Sequence, residues 1–151
     1  MSTMYVNKVQ ELNVGSGVQI PGHVIQVVEG TYDTQIDISS GSYTDIDLSA
    51  TITPKSLSSK IYVITNVQTF VNGTGLIGVG IVRGSTSILQ QQGAAGFQDN
   101  NGICVALTKL DSPATTNPIT YKIQVNKFAD SGTLRINQYG GSRITLMEIA
   151  G

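Results

Sequence analysis

From residue 23 onward the chain repeats one signal: short runs in which apolar and polar side chains alternate, each run closed by turn-forming residues. A side-chain period of two belongs to strands, and no stretch of a dozen residues shows the i, i+3, i+4 spacing of a helix. The runs are His23–Val28, Tyr32–Ile38, Tyr43–Thr53, Lys60–Val71, Leu76–Arg83, Ser85–Gln90, Ile103–Lys109, Ile119–Phe128, Leu134–Gln138 and Arg143–Ile149. In the third, Ile46, Leu48, Ala50 and Ile52 share one face, while Asp45, Asp47, Ser49 and Thr51 share the other. Ser39-Ser40-Gly41, Asn72-Gly73, Asn100-Asn101-Gly102, Ser131-Gly132 and Gly140-Gly141 read as hairpin-type breaks, and Thr53-Pro54 and Ser112-Pro113 as extended corners. The expected fold is all-β, an antiparallel jelly-roll β-sandwich over residues 23–151.

Residues 1–22 follow a different rule. Val6, Val9, Leu12, Val14, Val18 and Ile20 are scattered among polar residues and end at Pro21-Gly22. The pattern is too apolar for a free tail and too irregular for a core strand. An extended N-terminal arm that docks on a neighbouring surface fits best, and a first strand of the domain itself is the alternative.

Composition removes several functions. Charged residues make up 13% of the chain and net charge is −1, against about 25% charged in an ordinary domain. No broad field is available to attract nucleic acid. The uncharged stretch Ile61–Val82 contains Asn66, Gln68, Asn72 and four glycines and keeps a strand period, so membrane insertion is not expected. With one cysteine and one histidine, a single chain cannot build a zinc cage. Cys104 stands in the apolar run Ile103–Leu107 and is expected to be a small buried hydrophobe.

Candidate chemistry is thin. Gly73-Thr74-Gly75-Leu76-Ile77-Gly78 matches a dinucleotide-binding glycine pattern, but the residues after it continue as strand, so no helix N-terminus would meet a pyrophosphate. These glycines are expected to permit close backbone approach or a bulge. His23 has no nucleophile elbow to serve. Asp45 and Asp47 share a strand face and could face calcium, but solvated alternation explains them more simply. No catalytic residue, cofactor or metal is expected, and the chain does not read as an enzyme. The amide-rich stretch Gln90, Gln91, Gln92, Phe97, Asn100 and Asn101 reads as an exposed loop and is the candidate receptor contact for a host surface glycan or protein.

Two strands are apolar on both faces. Ile61, Val63, Val67 and Val71 oppose Tyr62, Ile64 and Phe70, and Ile144, Leu146 and Ala150 oppose Met147 and Ile149. Such strands must be covered on both sides. A sandwich core covers one, so the other is expected to meet a second subunit. Tyr62, Ile64, Phe70, Tyr121, Met147 and Ile149 are the candidate interface.

Several segments resemble a domain of bacteriophage virion proteins. They are Ile52-Thr53-Pro54-Lys55-Ser56-Leu57-Ser58-Ser59-Lys60-Ile61, Val82-Arg83-Gly84-Ser85-Thr86, Leu110-Asp111-Ser112-Pro113, Ile119-Thr120-Tyr121-Lys122-Ile123-Gln124-Val125 and the ending Ile144-Thr145-Leu146-Met147-Glu148-Ile149-Ala150-Gly151. The resemblance implies a homotrimeric jelly roll of the tumour-necrosis-factor type, carried at fibre tips or on capsid surfaces. Its partners would be further copies of itself and a phage capsid or tail protein, and its location the virion. Tail-fibre relatives carry a docking domain and shaft ahead of this domain. About 22 residues precede it here, which favours a capsid decoration (cement) protein held by its arm over a tail-fibre tip.

Overall fold

The computed structural model describes Lys8, Gln10 and residues 20–97, 100–128 and 132–151. Within them the chain forms β1 (Val24–Tyr32), β2 (Ile36–Ile38), β3 (Thr44–Ile52), β4 (Lys60–Gly73), β5 (Gly75–Arg83), β6 (Thr86–Phe97), β7 (Asn101–Asp111), β8 (Ile119–Phe128), β9 (Gly132–Ile136) and β10 (Ser142–Ile149).

All pairings are antiparallel. One edge of β4 pairs first with β10, along Lys60–Asn66, and then with β9, along Thr69–Gly73. Its other edge pairs with β7. β1 pairs with β10 and β2 with β9. Thus β1/β2 and β9/β10 are two long strands, each broken once, and this six-stranded sheet has four strand positions. The facing sheet runs β3-β8-β5-β6. With β1/β2 and β9/β10 each counted as one strand, the chain changes sheet at every connection except β5–β6, which is the double winding of a jelly roll.

That winding revises the reading of the turns. Asn72-Gly73 and Asn100-Asn101-Gly102 are arches that carry the chain from one sheet to the other, and Ser39-Ser40-Gly41 does the same between β2 and β3. The one hairpin within a sheet joins β5 to β6 through Gly84, at a φ of 58°.

The core fills the space between the sheets. Ile46, Leu48, Ile52, Ile61, Val63, Val67, Ile77, Val79, Ile81, Ile123, Val125, Leu134, Ile136, Ile144 and Leu146 are each 1% exposed or less. Each such aliphatic side chain is worth about 1.5–3 kcal/mol relative to leaving it in water. β3 keeps its alternation through a bulge: Asp45 opposes Gln124 and Ser49 opposes Lys122, so β3 carries two extra residues there, with Asp47 at a φ of 57°. An even insertion preserves which face each side chain takes.

Of the glycines in the failed nucleotide motif, Gly78 serves close approach. A Cβ on Gly78 would lie 2.2 Å from Asn126 Oδ1 and 2.7 Å from the Tyr43 hydroxyl. The Tyr43 ring covers the backbone of Gly78 and Gly80, and a register shift in the β5–β6 pairing lies between Ile77 and Val79.

Candidate assembly surface

The outer faces of the two sheets differ in chemistry. On the β3-β8-β5-β6 sheet, polar side chains satisfy one another across strands. Thr51 and Thr120 share a hydroxyl hydrogen bond of 2.8 Å. Lys122 Nζ donates to Asp45 Oδ2 at 2.6 Å, and Gln124 Nε2 donates to Asp45 Oδ1 at 2.7 Å. The Lys122 hydrogen bond holds the Asp45 carboxyl below its ordinary pKa. These pairs lie in the open, and Leu76 on β5 is also 46% exposed.

The outer face of the other sheet carries an apolar row. Register places Val27 beside Met147, Met147 beside Tyr62, and Tyr62 beside Leu110. The row crosses four strands, about 14 Å at the usual strand spacing. Val24 and Ile149 pair next to it, and Ile64 lies two residues along β4. Val24, Val27 and Leu110 remain 52%, 55% and 48% exposed. Tyr62, Ile64, Met147 and Ile149 are half-buried.

Four of the six side chains expected at an interface, Tyr62, Ile64, Met147 and Ile149, therefore lie together on this face. The other two do not. Tyr121 is fully buried in the core, alternating inward with Ile123 and Val125. Its hydroxyl donates to Asp111 Oδ2 at 2.7 Å, and Arg83 Nη1 donates to both oxygens of the same carboxylate at 2.8 and 2.9 Å. Burial, reinforced by the Asp111 carboxylate, pushes the Tyr121 hydroxyl far above its ordinary pKa of 10.0. Phe70 points outward but is covered: Tyr139 packs against it at a centroid distance of 5.5 Å and an angle of 88°.

Sequence reasoning missed Val24, Val27 and Leu110. Val24 and Val27 share a face because of a bulge between Val24 and Gln26, which an alternation count cannot see. Cys104 is also corrected. It is exposed on the outward side of β7 between Gly102 and Ala106, and its thiol donates to Asn66 Oδ1.

The amide-rich stretch is not a loop. Gln90, Gln91 and Gln92 are exposed residues of β6, Phe97 ends that strand opposite Gly75, and Asn101 begins β7. Asn100 takes a left-handed φ of 53° between them. Of the arm residues, Ile20 is exposed and its carbonyl accepts from His23 N at 2.9 Å. Val6, Val9, Leu12, Val14 and Val18 lie outside the described residues. Among the described residues, no group of three His, Cys, Asp or Glu side chains is placed to hold a metal, and no helix is long and apolar enough to cross a membrane.

The architecture is that of a jelly-roll sandwich, and solved structures resemble it in fold. VP2 of infectious bursal disease virus, solved as a subviral particle, matches at a TM-score of 0.51 and 15% identity over 95% of this chain and 37% of that chain. The T=1 particle derived from the same virus matches at 0.49 and 14%, over 95% and 40%. Latent PorU of Porphyromonas gingivalis matches at 0.40 and 8%, over 89% and 14%. At these identities the likeness concerns the fold, and the chain spans well under half of each neighbour. No protein-family model and no curated protein sequence matches the chain.

Proposed function

We propose that this chain is a non-enzymatic virion structural protein. In this reading it forms a homotrimer through the outer face of the six-stranded sheet and is held on a phage capsid by residues 1–22. The observation that carries the reading is the row Val27–Met147–Tyr62–Leu110, set against the cross-strand polar pairs of Thr51–Thr120 and Asp45–Lys122–Gln124 on the other sheet. The shared fold with a protein of virus particles supports it.

The magnitudes are consistent. Covering a side chain that is already half-buried gains about 1 kcal/mol, so six to seven of them give roughly 6 kcal/mol per copy. An association step costs about 4–15 kcal/mol. Shape fit and the arm then decide how firmly the assembly holds.

Sedimentation equilibrium tests the oligomer. The full chain is expected to sediment as a trimer, and the double variant Val27→Asp/Leu110→Asp as a folded monomer. A monomeric wild type overturns the reading. Deleting residues 1–19, which leaves the Ile20–His23 turn intact, is expected to keep the trimer and abolish binding to capsid particles.

A further inference from the structure

Among the described residues, the most exposed large hydrophobic side chain is Tyr139, at 73%, on the 137–141 connection between β9 and β10. Neither the core nor the apolar row uses it. Its ring is nonetheless held, edge-to-face, against buried Phe70. The connection beneath it is rigid for a sequence reason. Asn137 takes a φ of 61°, a left-handed conformation that asparagine tolerates better than most residues. Its amide Nδ2 donates to the carbonyls of Tyr32 and Thr34 at 2.8 and 3.2 Å, and its backbone N donates to Gln68 O at 3.0 Å. Its Oδ1 accepts from Ser142 Oγ at 2.6 Å, and Ser142 Oγ accepts from Gln68 N at 2.9 Å.

Two ion pairs flank the connection on the outer face. Arg135, which pairs with Phe70 across the sheet, holds Asp37 at 3.1 Å and reaches Gln138 Oε1 at 3.4 Å. Arg143 holds Asp33 at 2.6 Å, and Gly141 lies directly against that pair. Each guanidinium is neutralised by its own carboxylate. The surface therefore offers an open aromatic ring, several oriented donors and acceptors, and no net charge.

We infer that this connection is a binding site for a neutral carbohydrate, with Tyr139 as the stacking platform and the Arg135–Asp37 and Arg143–Asp33 pairs as hydroxyl partners. An anionic ligand would find no uncompensated cation here, and a wholly apolar one would strand the ion pairs. A pyranose presents C–H groups on one face and hydroxyls around its rim, which matches this arrangement. Position supports the assignment. The arm meets the domain where Gly22 N donates to Ala150 O, beside the start of β4, whereas Phe70 and Tyr139 lie at its far end. From Tyr62 to Phe70 the strand advances about 26 Å. The site thus lies at the other end of the domain from residue 22, the end that the proposed function assigns to attachment. The site shares its sheet face with the proposed trimer row but lies at the other end of β4, so it needs a trimer contact confined to the Tyr62 end.

The test is an NMR titration of the full-length protein with the methyl glycosides of glucose, galactose, mannose and N-acetylglucosamine, with a heparin oligosaccharide as the anionic control. At least one neutral glycoside is expected to shift amide resonances of residues 137–141, Asp33 and Asp37 saturably. Tyr139→Ala is expected to weaken that binding about ten-fold, and Tyr139→Phe to keep it, since a stacked ring contributes roughly one such factor. Thermal melts of both variants check that the fold is intact. The proposal is overturned if no glycoside shifts these resonances, if shifts fall only on Gln90–Asn101, if only heparin binds, or if Tyr139→Ala binds as well as wild type.

Discussion

Tyr121→Phe isolates the tie between the two sheets. Arg83 on β5, Asp111 on β7 and Tyr121 on β8 form one network, with Tyr121 fully buried. Phenylalanine fills the same volume, so the change removes only the hydroxyl that donates to Asp111. A hydrogen bond to a charged acceptor is worth about 1.5–3 kcal/mol, and Asp111 keeps its two bonds from Arg83, so a loss of about 2 kcal/mol is expected. In a chain of this size that lowers Tm by about 4–8 °C. The pH dependence is the sharper test. The folded state holds the Tyr121 proton far above pH 10.0, while the unfolded state releases it near its ordinary value. Raised affinity for the proton in the folded state gives stability that is complete below pH 10 and is lost as pH rises further. Wild type should therefore lose about 1.4 kcal/mol per pH unit above 10 that the variant does not lose. Lysines titrate in both proteins and cancel in the difference. Urea unfolding at pH 8, 10 and 11 should show the gap narrowing to well under half by about pH 11. A gap that stays constant, or a variant as stable as wild type at pH 8, refutes the network.

Gly78→Ala is expected to cost about 1–3 kcal/mol in denaturant unfolding, because its Cβ would meet Asn126 Oδ1 at 2.2 Å and force the Tyr43 lid to shift. Asn137→Ala should cost about 2–4 kcal/mol, since it strands the Ser142 hydroxyl and two carbonyls and places alanine at a φ of 61°. Asn137→Gly should recover part of that loss in the same assay. Cys104, exposed on the outer face of β7, should react with Ellman's reagent in the folded protein.

The strands were legible because period-two alternation is a local signal and little overrides it in a chain so short of helix formers. The turn residues were legible as breaks, but glycine and asparagine serve a hairpin and an arch between sheets equally well. Nothing local says which sheet the next strand joins. Tyr121 was within reach: Ile119, Tyr121, Ile123 and Val125 alternate with Thr120, Lys122 and Gln124, which points Tyr121 inward. Cys104 was equally readable, since it alternates with Ile103, Val105 and Leu107. Phe70 was not, because the ring that covers it arrives with Tyr139, nearly half the chain later. The apolar row needed register as well as pattern. Val27, Met147, Tyr62 and Leu110 become neighbours only through three separate pairings, one of them downstream of a bulge.

The bonds between Gly22 and Ala150, and between Ala150 and His23, have a mechanical consequence. They close the β1–β10 ladder at the end where the arm enters. A force pulling residue 22 away from residue 150 would act perpendicular to those bonds' strands and break them one rung at a time, the weakest geometry a sheet offers. A force along the strand axis would instead shear many rungs of the β1–β10 ladder at once. The domain is therefore mechanically directional: it resists shear along β1 and yields to being peeled from its N-terminal strand.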